Sequence, residues 1–125
     1  MITFDTGELS ALARDLGRMS ARTTGSMIGV FREGADDLVK EWAANARATS
    51  GEHGKHYPNS IDSEMQIGTD IAFEVGPNPA KPQGGMAFET GSVNQPPHPD
   101  GQRAADTIIP SIDRRIDAAL GHLGL

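Results

Sequence analysis

Apolar residues recur along the chain with two different periods. Between residues 61 and 75, Ile61, Met65 and Ile67 alternate with Asp62, Glu64 and Gln66, and Ile71, Phe73 and Val75 alternate with Ala72 and Glu74. Alternation is the signature of a β-strand, whose successive side chains point to opposite faces. With Gly68, Thr69 and Asp70 as a turn between them, the two runs predict a hairpin with one apolar face. Such a hairpin suits a sheet covered on one side by a helix.

Elsewhere the spacing is helical. Leu9, Leu12, Ala13, Leu16 and Met19 predict an amphipathic helix from Gly7 to Ala21, opened by Asp5 and Glu8 at the separation of a capping pair. Thr23-Thr24-Gly25-Ser26 predicts a break, with Ser26 capping a second helix that runs from Met27 to about Ala48. Phe31, Ala35, Leu38, Val39, Trp42, Ala43 and Ala46 keep one face of that helix, and Asp36 and Lys40 form an i, i+4 pair outside it. Gly29 and Gly34 lie inside it at a cost of about 1 kcal/mol each against Ala, which predicts a close approach of another backbone. A last helix, starting near Gly101 or Gln102, carries Ala104, Ala105, Ile108, Ile109, Ile112, Ile116, Ala119, Leu120 and Leu123 on one face, and Pro110 predicts a kink or a fresh start within it.

The remaining stretches are an apolar arm or edge strand from Met1 to Phe4, a polar loop from Thr49 to Asn59, and a proline- and glycine-rich loop from Gly76 to Gly85. Together these elements predict a single domain over residues 1–125. It is an α+β fold in which N-terminal helices and a C-terminal helix pack on a small antiparallel β-sheet, with long Gly/Pro-rich loops.

Composition narrows the function. Aromatic residues make up 5% and hydrophobic residues 37% of the 125, beside 15 glycines and 8 prolines. That is a modest core with much irregular chain, part of it expected to order only against neighbours. A formal net charge of −6 argues against gripping nucleic acid through its phosphates, which needs clustered Lys and Arg. Arg14, Arg18 and Arg22 fall at i, i+4, i+8 and could form one local basic stripe, read as a solvated or subunit-contacting face. The chain has no cysteine, which excludes disulfides and the usual structural zinc sites and fits a reducing compartment. No stretch is apolar enough for a membrane span, and the N-terminus lacks the pattern of a signal peptide.

The most organised stretch is Met86-Ala87-Phe88-Glu89-Thr90-Gly91-Ser92, followed by Gln95-Pro96-Pro97-His98-Pro99. Each proline fixes φ and removes a backbone donor, so Pro96, Pro97 and Pro99 predict a stiff extended arm that aims the final helix. Phe88 can anchor one end by burying its ring, and Glu89 can accept hydrogen bonds from backbone amides or pair with an arginine of a neighbouring subunit. Trp42, the only tryptophan, reads as a core or subunit-interface anchor. His53 and His56 beside Glu52 would suit a metal only with a third ligand from elsewhere. Ser60 and Ser63 lack the strained turn and orienting acid of a hydrolase. No cofactor motif is present, and the chain is not expected to be an enzyme.

The small-aromatic-Glu-x-Gly piece at Ala87 to Gly91, the proline-rich connector, then Arg103-Ala104-Ala105 and a C-terminal helix resemble the second half of the neck and tail-completion proteins of long-tailed bacteriophages. This chain has Met86-Ala87 where that family has a Tyr-Ala pair, and His98-Pro99-Asp100-Gly101 where it has a Pro-Phe-containing piece. The resemblance implies a structural virion protein made in the host cytoplasm and built into the head-to-tail connector. There it would form a homo-oligomeric ring against the neighbouring head-closure and tail proteins, with DNA passing through the lumen as cargo. A tail terminator capping the tail tube is the alternative within the class, and a small soluble adaptor binding a partner helix along Leu38 to Ala46 is the alternative outside it. Under the first reading the candidate interface residues are Trp42, Phe88, Glu89, Gly91, Pro96, Pro97, Pro99 and Arg103.

Overall fold

The computed structural model describes residues 2–5, 21–51, 54–67, 71–81, 89, 91 and 97–122. In order these form β1 (Ile2–Asp5), α1 (Ala21–Thr49), the one-turn α2 (Tyr57–Ser60), β2 (Ile61–Ile67), β3 (Ile71–Pro77) and α3 (Asp100–His122). The class is α+β, as the two periodicities predict. The expected first helix at residues 7–21 falls almost wholly outside the described residues, as does the turn at 68–70.

β3 is the middle strand of a three-stranded antiparallel sheet ordered β1-β3-β2. The hairpin register sets Met65 opposite Phe73 and Ser63 opposite Val75, and on the other side β1 brings Phe4 opposite Phe73 and Ile2 opposite Val75. Ile61, Phe73 and Val75 are buried while Glu64 and Gln66 are exposed, so the alternation in sequence becomes two faces of a sheet. The backbone N–H of Asn78 donates to the Ser60 carbonyl at 2.7 Å and closes the open end of the hairpin.

α1 covers the apolar face. Its 29 residues span about 43 Å at ~1.5 Å per residue, and Phe31, Ala35, Leu38, Trp42 and Ala46 form one buried stripe along it. The helix starts at Ala21 and runs without interruption through Thr23-Thr24-Gly25-Ser26, where the sequence predicts a break. Gly25 and Gly29 face open space, so each costs only its intrinsic propensity, and the packed stripe beyond them outweighs that. Gly51, at φ 62, takes the left-handed conformation that ends the helix.

α3 packs against α1 and scarcely touches the sheet among the described residues. Gly34 meets Ile112 near one end of the contact, and Trp42 meets Gly101 near the other, so the two helices run antiparallel. At Gly34 the close approach is by a side chain: a Cβ there would fall 2.6 Å from Ile112 Cδ1. Gly29 has no such neighbour. The Arg115 guanidinium donates to Asp37 Oδ2 at 2.5 Å and ties the helices beyond Gly34. α3 continues through Pro110 with no fresh start. Pro110 and Asp106 are both exposed, so the carbonyl that the missing N–H would have bonded stays in water.

Candidate functional site

Asp100 opens α3 and is the one wholly buried carboxylate among the described residues. Taking a charge out of water is costly unless donors surround it. Arg103, one turn on, brings Nη2 to 2.5 Å from Oδ1. The Thr49 hydroxyl, in the last turn of α1, donates to Oδ2 at 2.7 Å. That hydroxyl also lies 3.2 Å from the Asn45 carbonyl, but its single proton goes to the nearer, charged acceptor. Asn45 donates through Nδ2 to the Asp100 carbonyl at 3.1 Å, so α1 holds both the side chain and the backbone of this residue.

The first turn of α3 carries amides with no partner inside the helix. The residue ahead of it, Pro99, accepts from the Arg103 N–H at 3.0 Å through its carbonyl but has no side-chain oxygen to cap the turn. Glu89 does so from a distance. Its Oε2 accepts from the Gly101 N–H and its Oε1 from the Gln102 N–H, each at 2.9 Å. A carboxylate here also meets the positive end of the helix dipole. Just beyond it, Gly91 has φ 82, a conformation that disfavours any residue with a Cβ.

Beneath this polar group lies the indole of Trp42. A Cβ on residue 101 would fall 2.6 Å from Cζ2 and 2.7 Å from Cε2, so the helix start lies flat on the ring. Trp42 Nε1 donates to the Tyr57 hydroxyl at 3.2 Å, and both residues are fully buried. Burial pushes the Tyr57 phenol up to about 12; the hydrogen bond from Trp42 opposes that shift, and the charges of Glu89 and Asp100 add to it. Ser60, also buried, donates to the Tyr57 carbonyl at 2.6 Å, a structural use of a hydroxyl.

Of the residues nominated from sequence, Trp42, Glu89 and Arg103 therefore converge on Asp100 and Gly101. Pro97 and Pro99 are exposed just before the helix, with His98 half-buried between them. Phe88 and Pro96 lie outside the described residues. Trp42 lies in the core. The face from Leu38 to Ala46 is covered: Leu38, Trp42, Ala43 and Ala46 are buried, so no partner helix can dock along it while α3 is in place. Sequence reasoning missed Asp100, Thr49, Asn45 and Tyr57. A Pro-Asp-Gly opening to a helix was the available signal for Asp100; nothing local pointed to the other three.

Of the other groupings weighed from sequence, His53 and Glu52 lie outside the described residues, and His56 is exposed. Among the described residues no cluster of three or more His, Asp or Glu side chains is placed to hold a metal. A shallow groove of about 260 Å³ lies beside the hairpin, lined by Asp62, Glu64, Glu74 and Asn78 among others, below the ~300–1,000 Å³ usual for small-molecule sites. Partial burial opposes ionisation of Asp62, but hydrogen bonds from Lys81 and Asn78 outweigh it and hold the carboxyl below its ordinary value. Lys81 Nζ lies 2.8 Å from its Oδ2. No described helix is long and apolar enough to cross a membrane. No known family model matches the chain, and no curated protein or solved structure matches it either.

Proposed function

We propose that this chain is a structural subunit of a phage head-to-tail connector, a ring component that joins or completes the tail at the neck and works by assembly and not by catalysis. The observation that carries the reading is the meeting of the two stretches behind the family resemblance. Glu89, from the small-aromatic-Glu-x-Gly piece, caps the helix that begins beside Arg103-Ala104-Ala105. The stretch is thus a joint that fixes a proline-bearing segment to the start of a helix, which is what a subunit needs to hold an arm at a set angle to its body. The acidic balance supports a lumen that repels DNA phosphates and does not trap them.

The test is the mass of the purified chain by light scattering, alone and with virion components, together with its copy number in particles. Incorporation at one ring's stoichiometry is expected. A stable monomer absent from particles would overturn the reading and favour a free adaptor.

A further inference from the structure

We infer that the outer edge of β2 is a docking site for an extended segment of another protein that carries Lys or Arg at alternate positions. The inference goes beyond the connector reading and needs no ring.

Backbone geometry opens that edge. β2 pairs with β3 and with no other described strand. The Asn78 N–H donates to the Ser60 carbonyl, which makes residues 60 and 78 a hydrogen-bonded pair. In an antiparallel ladder such pairs alternate with non-bonded ones, so the next along the register are Asp62 with Gly76 and Glu64 with Glu74. Ser63 and Met65 occupy the non-bonded positions and turn their N–H and C=O groups away from β3. An open row of this kind is a template for strand addition.

Packing leaves the same edge bare. Ser63 stands opposite Val75 on the face that α1 covers, yet Val75 is fully buried and Ser63 is exposed. Met65, two residues on, is half-buried. The helix therefore shields the middle of the sheet and stops short of its edge at Ser63.

Charge selects the occupant. On the opposite face Asp62 and Glu64 follow one another along β2, and Glu74 stands directly across from Glu64; all three line the shallow groove. Like charges facing each other across a ladder are destabilising, and neither glutamate has an ion-pair partner among the described residues. Asp62 already holds an ammonium group, that of Lys81, at 2.8 Å. A strand added to β2 places alternate side chains on this face, so Lys or Arg there relieves the repulsion between Glu64 and Glu74. A second β2, bearing the same Asp62 and Glu64, would add to it. At the intervening positions, small or apolar side chains fit beside Ser63 and Met65.

The test reads amide exchange at Ser63 and Met65 in the full chain. Two end-blocked octapeptides serve as probes, one alternating lysine with valine and the other glutamate with valine. Both amides should exchange fast in the chain alone, whatever its concentration, and should slow when the lysine peptide is added but not with the glutamate peptide. Glu64→Gln/Glu74→Gln removes a repulsion and so keeps the hairpin folded, and it should weaken binding of the lysine peptide by about tenfold, the size expected for two exposed charge pairs. Slow exchange in the dilute chain alone would show that the edge is covered from within, and slowing that grows with chain concentration would show that a second copy takes it. Either result, or an equal response to the two peptides, would overturn the proposal. A ring that assembles while this edge ignores the lysine peptide removes the docking site and leaves the connector reading standing; docking by a chain that never enters particles does the reverse.

Discussion

Gly101 lies so close to Trp42 that a Cβ at residue 101 would sit 2.6 Å from the indole. The start of α3 is therefore set by the flat face of one aromatic ring, and the absence of a side chain is what lets the two helices close. Gly101→Ala should destabilise the fold by about 1–3 kcal/mol through overpacking. Gly29→Ala, on the same pair of helices but facing open space, should instead stabilise it by up to about 1 kcal/mol. Urea unfolding of both variants checks the contrast. Equal effects of the same sign would mean that the ring contact does not set the helix position.

The second prediction concerns the cap supplied from a distance. Glu89→Ala should cost about 0.5–2 kcal/mol, the range for losing an N-cap, and Glu89→Gln less, because its amide oxygen can still accept one bond. The local readout is hydrogen exchange at the Gly101 and Gln102 amides, which should speed up in Glu89→Ala. Unchanged protection at both amides would show that the carboxylate is not their partner in solution.

These two sites also show what the sequence could reveal. The hairpin and most of the stripes on both long helices were legible because burial imposes a period on the chain, but Ile109, which that period places on the apolar face of α3, is exposed; the N-terminal run, read as an arm or an edge strand, is the edge strand β1. The early start of α1 was not: Thr23-Thr24-Gly25-Ser26 is locally a poor helix, and only the packing of Phe31 to Ala46 beyond it makes the longer helix favourable. α2 was hidden in a stretch whose Gly, His and Pro content reads as loop, although Tyr57 within it is fully buried. At the candidate site, Glu89 was readable as a residue that could bond amides, but not which ones, because its partners lie 12 and 13 residues further along the chain, a separation with no fixed geometry in sequence. Thr49 and Asn45 reach Asp100 only because two helices cross there.

The third prediction follows from the buried Trp42–Tyr57 pair. Tyr57 has its phenol raised from 10.0 to about 12 in the folded chain, while the unfolded chain ionises near the ordinary value. Between those limits the unfolded state binds fewer protons than the folded one, so stability is intact below about pH 10 and falls as pH rises toward 12, by about 1.4 kcal/mol per pH unit. Tyr57 is the only tyrosine, so ultraviolet titration of phenolate reports this group alone. Tyr57→Phe should remove that part of the alkaline slope, and a wild-type phenol titrating near 10 in folded protein would contradict the prediction.

The last prediction addresses the connector. Pro97 and Pro99 lie exposed immediately ahead of a helix whose first turn is fixed on three sides, by Glu89, by Trp42, and by Asn45 and Thr49. A segment held so firmly at one end transmits direction only if it is itself stiff, and proline supplies stiffness by fixing φ. Replacing Pro96, Pro97 and Pro99 together with Gly restores freedom to the connector and raises the entropy lost when it orders. The hairpin and the α1–α3 contact contain none of these residues, so the fold should survive, as judged by circular dichroism and an unchanged Trp42 emission. Joining of heads to tails should fall, measured as the yield of infectious particles against free heads and free tails. Phe88→Ala should behave differently: if its ring anchors the segment as the sequence suggests, truncation costs about 3–5 kcal/mol and lowers stability and joining together. Wild-type yields from the triple glycine variant would remove the aiming role of the prolines, even if the subunit still proved to be part of the connector.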